Sequence, residues 1–436
     1  MIEVVIIKSK FVSTTLILLI GGFITKILGM IIKIIMTRII GTNGIGLYML
    51  IMPTFNLFIT ICQLGFPIAI SKLVAEDKNN NKQIVFSSTI FSCFLNATLI
   101  ILIIAIAPII SKYLLHNTDT YYSIVAISLT LPFISISSIL RGYFFGKQKM
   151  FPHIFSNCFE QVLRLIIILL VIPYLIPKGI PIAVAGIVLT NIISELASIL
   201  ILFFFVPKNF KVTKNELKYN KDAMKDVLNI SLPTTSSRII GSIGYFFEPI
   251  ILTSTLLMCG YSNDFIVSEY GIINGYALQL LLLPSFFTLA ISQALLPVVS
   301  KSYSKGNIGY TSSKIKQAIF FSLLIGIPAT ILFMAFPEFF LNLIYNTNEG
   351  VQYIRFLAPI CILHYIQSPL SSSLQAMGKS KDAMYGTILG IVIRTSLLFI
   401  LSTLHIGMWG LVIATGVNIV FVTIFDLSRV RKHLKS

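Results

Sequence analysis

The sequence predicts an all-α integral membrane protein of about twelve transmembrane helices, arranged as two pseudo-symmetric six-helix lobes. Three observations predict this fold class. First, 56% of the 436 residues are hydrophobic and only 11% are charged, whereas soluble globular proteins carry about 25% charged residues. Second, apolar segments long enough to cross a hydrocarbon core of about 30 Å recur from end to end. Third, the second half of the chain repeats motifs of the first.

Twelve apolar segments can be recognised, each near or above the roughly 20 residues that one crossing needs. They are 11–37, 45–71, 85–108, 121–145, 154–176, 181–206, 227–258, 269–299, 317–336, 351–376, 384–404 and 407–427. The longest polar stretch, the basic segment 207–226, is too short for a soluble catalytic domain. We therefore expect an N-terminal lobe over 1–206, a cytoplasmic linker over 207–226 and a C-terminal lobe over 227–436.

The distribution of basic residues predicts the orientation of the helices. The net charge is +17, and with a cytoplasmic N-terminus 24 Lys and Arg residues fall on the inside, against three in the outside loops. This asymmetry follows the positive-inside rule and predicts that both termini are cytoplasmic. The basic charge is thereby explained by topology, so we expect no nucleic-acid partner. The first apolar segment contains lysines and lacks a cleavage pattern, which indicates a spanning helix rather than a signal peptide.

Two pairs of segments carry the internal repeat. TKILG at 25–29 corresponds to SRIIG at 237–241, and the segment 46–72 corresponds to 275–301. Because each repeat holds an even number of spans, both copies share one orientation, and such halves are related by an axis along the membrane normal. Internal repeats of this kind are typical of transporters, whose binding sites lie where the repeats meet.

Basic residues inside the apolar segments are the main candidates for substrate contact. Lys26 and Lys33 are seven residues apart and share one helix face, and Arg238 occupies the position in the second repeat that matches Lys26. A charged residue at the centre of a spanning helix costs about 2.5–3.5 kcal/mol on insertion scales, so it is a functional candidate by default. Converging cations predict a site for an anion, with diphosphate as the obvious ligand. The alternative is that these cations pair with Glu248 or Glu195.

Further polar residues in the spans have two interpretations each. Gln63 and its repeat counterpart Gln293 could hydrogen-bond a sugar, although interhelical hydrogen bonds are the commoner use of such residues. Glu248 is a candidate counter-ion for Lys33 or Arg238, or a protonatable group that couples transport to protons or sodium. Arg394 is expected to be an isolated cation, either near the cleft or extending its side chain to the cytoplasmic surface.

Glu160 and Arg164 are four residues apart on one predicted helix, a spacing that predicts an intrahelical ion pair with a structural role. No phosphate-binding glycine loop, metal-ligand spacing or nucleophile motif is present in the sequence. We therefore expect neither an enzyme nor a bound cofactor or metal.

Three segments resemble a known superfamily: RIIGTNGIGLYMLIMPTFNLFITICQLGFPIAISK (38–72), LRGYFFGKQKMFP (140–152) and LQAMGKSKDAMYG (374–386). They are similar to the polysaccharide-transporter branch of the multidrug/oligosaccharidyl-lipid/polysaccharide (MOP) exporters, which includes MurJ-type lipid II flippases. The resemblance implies a MATE/MOP-like fold of two six-helix lobes in a V shape, with alternating access. It also implies that Lys26, Lys33 and Arg238 contact a diphosphate.

The function that this resemblance implies is a flippase of the bacterial plasma membrane. It would move an undecaprenyl-diphosphate-linked glycan, such as a peptidoglycan or spore-cortex precursor or a related polysaccharide unit, from the inner to the outer leaflet. The expected partners are the lipid-linked oligosaccharide and the bilayer, and the expected state is a monomer. The main alternative is a cation-coupled multidrug antiporter of the MATE type, for which a carboxylate would dominate the cavity. A non-transporting scaffold is a third alternative, but the short loops give it little docking surface.

Overall fold

The computed structural model describes residues 2–76, 80–206 and 219–435, with side chains from residue 20 onward except that of residue 237. In these ranges the chain is almost entirely helical and contains no strand. Much of the predicted linker, residues 207–218, lies outside the described residues. The all-α membrane fold predicted from the sequence is confirmed.

Fifteen α-helices, joined by short loops and by 3₁₀- and π-helical turns, make up the described residues. They are α1 (Ile2–Gln63), α2 (Phe66–Glu76), α3 (Asn81–Ile109), α4 (Tyr121–Gly146), α5 (Met150–Leu175), α6 (Ile180–Phe204), α7 (Lys221–Met258), α8 (Asn263–Gly271), α9 (Leu278–Leu281), α10 (Ser285–Ser304), α11 (Ile308–Ala335), α12 (Pro337–Tyr345), α13 (Val351–Ala376), α14 (Ser380–Ser402) and α15 (Trp409–Lys435).

Helix α1 contains two of the predicted spans. Its 62 residues correspond to about 93 Å at 1.5 Å per residue, enough for two crossings. The helix is broken at Gly41, whose backbone has φ 69° and ψ −174°. This conformation lies in the region of positive φ that glycine adopts without the steric cost of a Cβ atom.

Among the described residues, nine helical segments are long and apolar enough to cross a membrane, or ten if the bent pair 263–281 and 285–304 is one span. The difference between these ten and the twelve predicted spans has two sources. Helices α1 and α2 together count as one of the nine segments, although they cover two predicted spans. Helix α13 covers a predicted span but is rich in polar residues, and it is not among the nine.

The described chain forms two compact units. Unit 1 comprises Met1–Ile40 and Ile51–Ile243, and unit 2 comprises Gly41–Leu50 and Gly244–Ser436. This division differs from the sequence-based boundary in the linker, because the first part of α7 packs on unit 1. Ala223, Met224 and Val227 are buried in one apolar core with residues of α2, α3, α4 and α6.

Unit 2 includes ten residues from the N-terminal part of the chain. The Thr42 hydroxyl lies 3.0 Å from the Tyr276 hydroxyl and donates a hydrogen bond of 2.7 Å to Glu349. Gly46 lies directly against the backbone of Val267. The rest of unit 2 has its own apolar core, formed by residues of α10, α11, α13, α14 and α15.

Candidate substrate site

Lys26 and Lys33 lie on α1 with exposed side chains, about two helical turns apart. A neighbouring stripe of the same helix packs on α5, where Thr25 Oγ1 is 3.6 Å from Cys158 Sγ. With 100° of rotation per residue, both lysines project about a quarter turn away from Thr25. The lysines therefore occupy a face that the α1–α5 contact leaves uncovered.

The last turns of α1 pack antiparallel to the first half of α7 within unit 1. Thr60 Oγ1 is 3.1 Å from Ser242 Oγ. Five residues further along, Gly65 lies against the opposite end of this α7 segment, since a Cβ on Gly65 would be 2.7 Å from Thr235 Oγ1 and 3.1 Å from the Ser231 carbonyl oxygen. The residue numbers thus rise along one helix as they fall along the other.

This register brings Gln63 and Arg238 to the same level of the helix pair. Gln63 follows Thr60 by three residues, and Arg238 precedes Ser242 by four. Arg238 is exposed and Gln63 is half-buried. The repeat alignment assigns Arg238 to the second lobe, whereas the structure places it in unit 1 together with Lys26, Lys33 and Gln63. Gln293, the repeat counterpart of Gln63, is exposed on α10 in unit 2.

A buried network of charges joins α4, α5 and α6 in unit 1. Arg141 donates hydrogen bonds to Glu160 at 2.5 Å and to Glu195 at 3.1 Å. Arg164 donates to Glu160 at 2.7 Å, as their four-residue spacing predicts, and the Ser137 hydroxyl donates to Glu195 at 2.5 Å. Two arginines thus balance two glutamates. Arg141 is not among the sequence-based candidates because it adjoins a basic loop and falls among the 24 basic residues predicted to be cytoplasmic.

A second buried ion pair lies in unit 2. Arg394 Nη1 is 2.9 Å from Glu248 Oε2, and the two side chains are only 11% and 8% exposed. The Tyr270 hydroxyl donates to Glu248 Oε1 at 3.4 Å. The expectation that Arg394 is an isolated cation is wrong, and the ion pair of Glu248 is formed with Arg394 rather than with Lys33 or Arg238. The two residues are far apart in sequence, so only the tertiary structure shows the pair.

These two ion clusters bear on one interpretation of Lys26 and Arg238, that of pairing with a carboxylate. Glu195 and Glu248 are the candidate counter-ions from the sequence. Glu195 is paired with Arg141, and Glu248 is paired with Arg394. Neither Lys26 nor Arg238 forms an ion pair with any residue in the described ranges. Lys26 and Arg238 are therefore exposed basic groups on apolar helices of unit 1 that form no ion pair within the described ranges, an arrangement suited to an anionic ligand.

Comparison with known proteins assigns the chain to a family. The family profile described as "Polysaccharide biosynthesis protein" matches residues 11–303. The chain belongs to this polysaccharide biosynthesis family. The superfamily resemblance predicted from the sequence is thereby confirmed. A second profile, MatE, matches residues 242–400.

Two relatives and one solved structure illustrate the relationship. "Stage V sporulation protein B" of Bacillus subtilis (strain 168) is 35% identical over 98% of this chain and 85% of the relative. "Lipid II flippase MurJ" of the same organism is 24% identical over 98% of this chain and 83% of the relative. An inward-facing multidrug resistance MATE family transporter of the MOP superfamily superposes with a TM-score of 0.75 at 16% identity, covering 94% of this chain and 96% of the other. This structural similarity shows that the fold is shared.

Proposed function

We propose that this protein is a multi-pass flippase of the bacterial plasma membrane that moves a lipid-linked glycan from the inner to the outer leaflet. The substrate class is an undecaprenyl-diphosphate-linked glycan, such as a peptidoglycan or spore-cortex precursor. One observation carries the proposal: Lys26 and Arg238 are exposed on apolar helices of unit 1, while Glu195 and Glu248 are paired with other arginines.

The free-energy cost of a cation in the membrane supports a ligand that binds Lys26 and Arg238 only during transport. An intramembrane cation costs about 2.5–3.5 kcal/mol at a helix centre, and a permanent carboxylate partner would reduce that cost. A diphosphate supplies several strong acceptor oxygens, and Lys and Arg are its usual protein partners. Lys33 adds a second ammonium group on the face of Lys26, and Gln63 lies level with Arg238. Gln63 is therefore placed to hydrogen-bond a phosphate or sugar oxygen beside the arginine.

The family relationship favours a glycan carrier over a drug antiporter. The relatives include a lipid II flippase, whereas the similarity to a multidrug transporter is at 16% identity and concerns the fold. The carboxylate that the sequence suggests for an antiporter of cationic drugs is Glu248, and it is neutralised by Arg394 in unit 2. Coupling of transport to protons or sodium is part of the proposal, with no other cofactor.

The decisive experiment measures leaflet exchange in proteoliposomes that contain purified protein and an undecaprenyl-diphosphate sugar with a fluorescent headgroup. An impermeant quencher reports how fast the inner-leaflet lipid reaches the outside. We expect Lys26→Ala and Arg238→Ala to reduce the rate at least tenfold, because each removes a phosphate partner. Lys26→Arg should retain transport because it keeps the charge.

The matched control is Lys149→Ala, which removes an exposed cation just before α5 and should leave the rate unchanged. Equal incorporation of all variants into the vesicles is checked by density-gradient flotation. Wild-type rates in both Lys26→Ala and Arg238→Ala would overturn the proposal. Transport of cationic dyes that is lost in Glu248→Gln would instead support the antiporter.

A further inference from the structure

We propose that the α1–α5 helix pair of unit 1 contains a subsite for the sugar that adjoins the diphosphate, formed by the side-chain amides of Asn157 and Gln161 on α5. This subsite deepens the proposed function and rests on it, because Lys26 and Lys33 supply the phosphate contacts. The cations bind any prenyl diphosphate, whereas the two amides recognise the carbohydrate attached to it.

Helices α1 and α5 run parallel where they pack together. Three contacts at four-residue steps along α1 define their register: Gly21 lies against the Ile154 side chain, Thr25 Oγ1 is 3.6 Å from Cys158 Sγ, and a Cβ on Gly29 would be 4.0 Å from Gln161 Oε1. The residue numbers rise together along both helices. The absence of a side chain at residue 29 also leaves the Gln161 oxygen uncovered on the side of α1.

The parallel register places Asn157 and Gln161 on the same side of the helix pair as Lys26 and Lys33. Each residue turns an α-helix by about 100°. Measured from the central of the three contacts, Lys26 and Lys33 lie about 100° and 80° in the positive sense of rotation. On α5, Asn157 and Gln161 lie about 100° and 60° in the negative sense. Two parallel helices that face each other turn in opposite senses toward one side of the pair, so these four side chains share a side.

The amides and the ammonium groups are also close along the helix axes. Lys26 follows the central contact by one residue and Asn157 precedes it by one, so their levels differ by about 3 Å at 1.5 Å per residue. Packed helices have axes about 8–10 Å apart. A phosphate and the sugar ring attached to it can bridge this distance, with the phosphate on α1 and the sugar on α5.

Both amides keep an oxygen atom available for a ligand. Gln161 Nε2 donates to Glu160 Oε1 at 3.3 Å, and Asn157 Nδ2 lies 3.3 Å from His153 Nε2. Within the ranges that the structure describes, neither Gln161 Oε1 nor Asn157 Oδ1 accepts a hydrogen bond. Both side chains are only half-buried, so a ligand beside the lysines can reach them.

These oxygens select a ligand that donates hydrogen bonds. The oxygen of a side-chain amide only accepts, and an ionised diphosphate also offers only acceptors, so the phosphates are not the ligand of the amides. Sugar hydroxyls and acetamido N–H groups are donors. A site built to pair with such a group discriminates against an analogue that lacks it, because the polar atoms of the site then stay unpaired.

The test compares the affinity of the purified full-length protein for undecaprenyl diphosphate and for undecaprenyl-diphosphate N-acetylglucosamine, measured by microscale thermophoresis in detergent. We expect the wild type to bind the sugar-bearing lipid about tenfold more tightly, because two hydrogen bonds are added. Gln161→Met and Asn157→Leu keep the approximate side-chain volume but remove the acceptor. Each should weaken binding of the sugar-bearing lipid roughly three- to tenfold and leave the affinity for the bare lipid unchanged.

The matched control is Gln148→Met, which removes an exposed amide from the loop before α5 and should preserve both affinities. Gel filtration checks that each variant is monodisperse, and the two amide positions give independent measurements. Equal affinity of the wild type for the two lipids would overturn the subsite, as would an equal loss for both lipids in the amide variants. Lys26→Ala should weaken both lipids by the same factor. Unchanged affinities in Lys26→Ala would instead contradict the phosphate contact of the proposed function, so the two failures are distinguishable.

Discussion

Replacement of Arg141 by methionine tests whether the buried charges between α4, α5 and α6 stabilise unit 1. Methionine keeps an unbranched side chain of similar length but removes the charge and the hydrogen-bond donors. Arg141 donates to Glu160, Glu195 and Ser198 at 2.5, 3.1 and 3.0 Å. The change leaves two glutamates that are 5% and 7% exposed with Arg164 as the remaining cation.

The expected loss follows from the burial of these groups. Removing one partner of a buried ion pair costs about 3–5 kcal/mol, because the remaining charge stays in a poorly solvated environment. Arg141 itself is 19% exposed, so a value near the lower end, about 3 kcal/mol, is expected. The double variant Arg141→Met with Glu195→Gln restores charge balance and should recover about half of the loss.

The free energy of unfolding can be measured by SDS titration in mixed micelles, followed by circular dichroism. Lys149→Met is the matched control, because it removes an exposed cation next to the same helices, and it should change stability by less than about 0.5 kcal/mol. The reasoning fails if Arg141→Met is no more destabilising than Lys149→Met, or if the double variant is less stable than the single one.

Two further substitutions test the packing of unit 2. Gly46→Ala would place a Cβ against the Val267 carbonyl oxygen and should lower the free energy of unfolding by about 1–3 kcal/mol, measured by the same titration. The control is Gly22→Ala, because Gly22 has open space around it. An equal effect of both changes would contradict the argument. Tyr365→Phe removes the hydrogen bond of 2.7 Å that the buried tyrosine donates to the Leu281 carbonyl. It should lower the free energy of unfolding by about 1 kcal/mol, and an unchanged value would show that this carbonyl finds another donor.

Local sequence patterns predicted the membrane class, the helical segments and the short-range ion pair. Glu160 and Arg164 could be paired from sequence because residues four apart on a helix are neighbours whatever the rest of the fold does. The lysines of α1 could be singled out because hydrocarbon makes a charge expensive. Each of these inferences depends only on the sequence of one helix and on the medium that surrounds it.

Tertiary contacts explain what the sequence did not predict. The partner of Glu248 is Arg394, on a helix far along the chain, and no local spacing indicates such a pair. Arg141 adjoins a basic loop in the sequence, although its guanidinium points among three helices.

The ten residues Gly41–Leu50 determine when unit 2 can be completed during synthesis of the chain. They are made early, but they contact residues of unit 2 such as Val267, more than two hundred residues later. At about 5–20 residues per second, this segment leaves the ribosome roughly 10–45 s before its neighbours exist. The second compact unit is therefore completed only late in translation, and a fragment starting at Gly244 would lack a piece of its own interior.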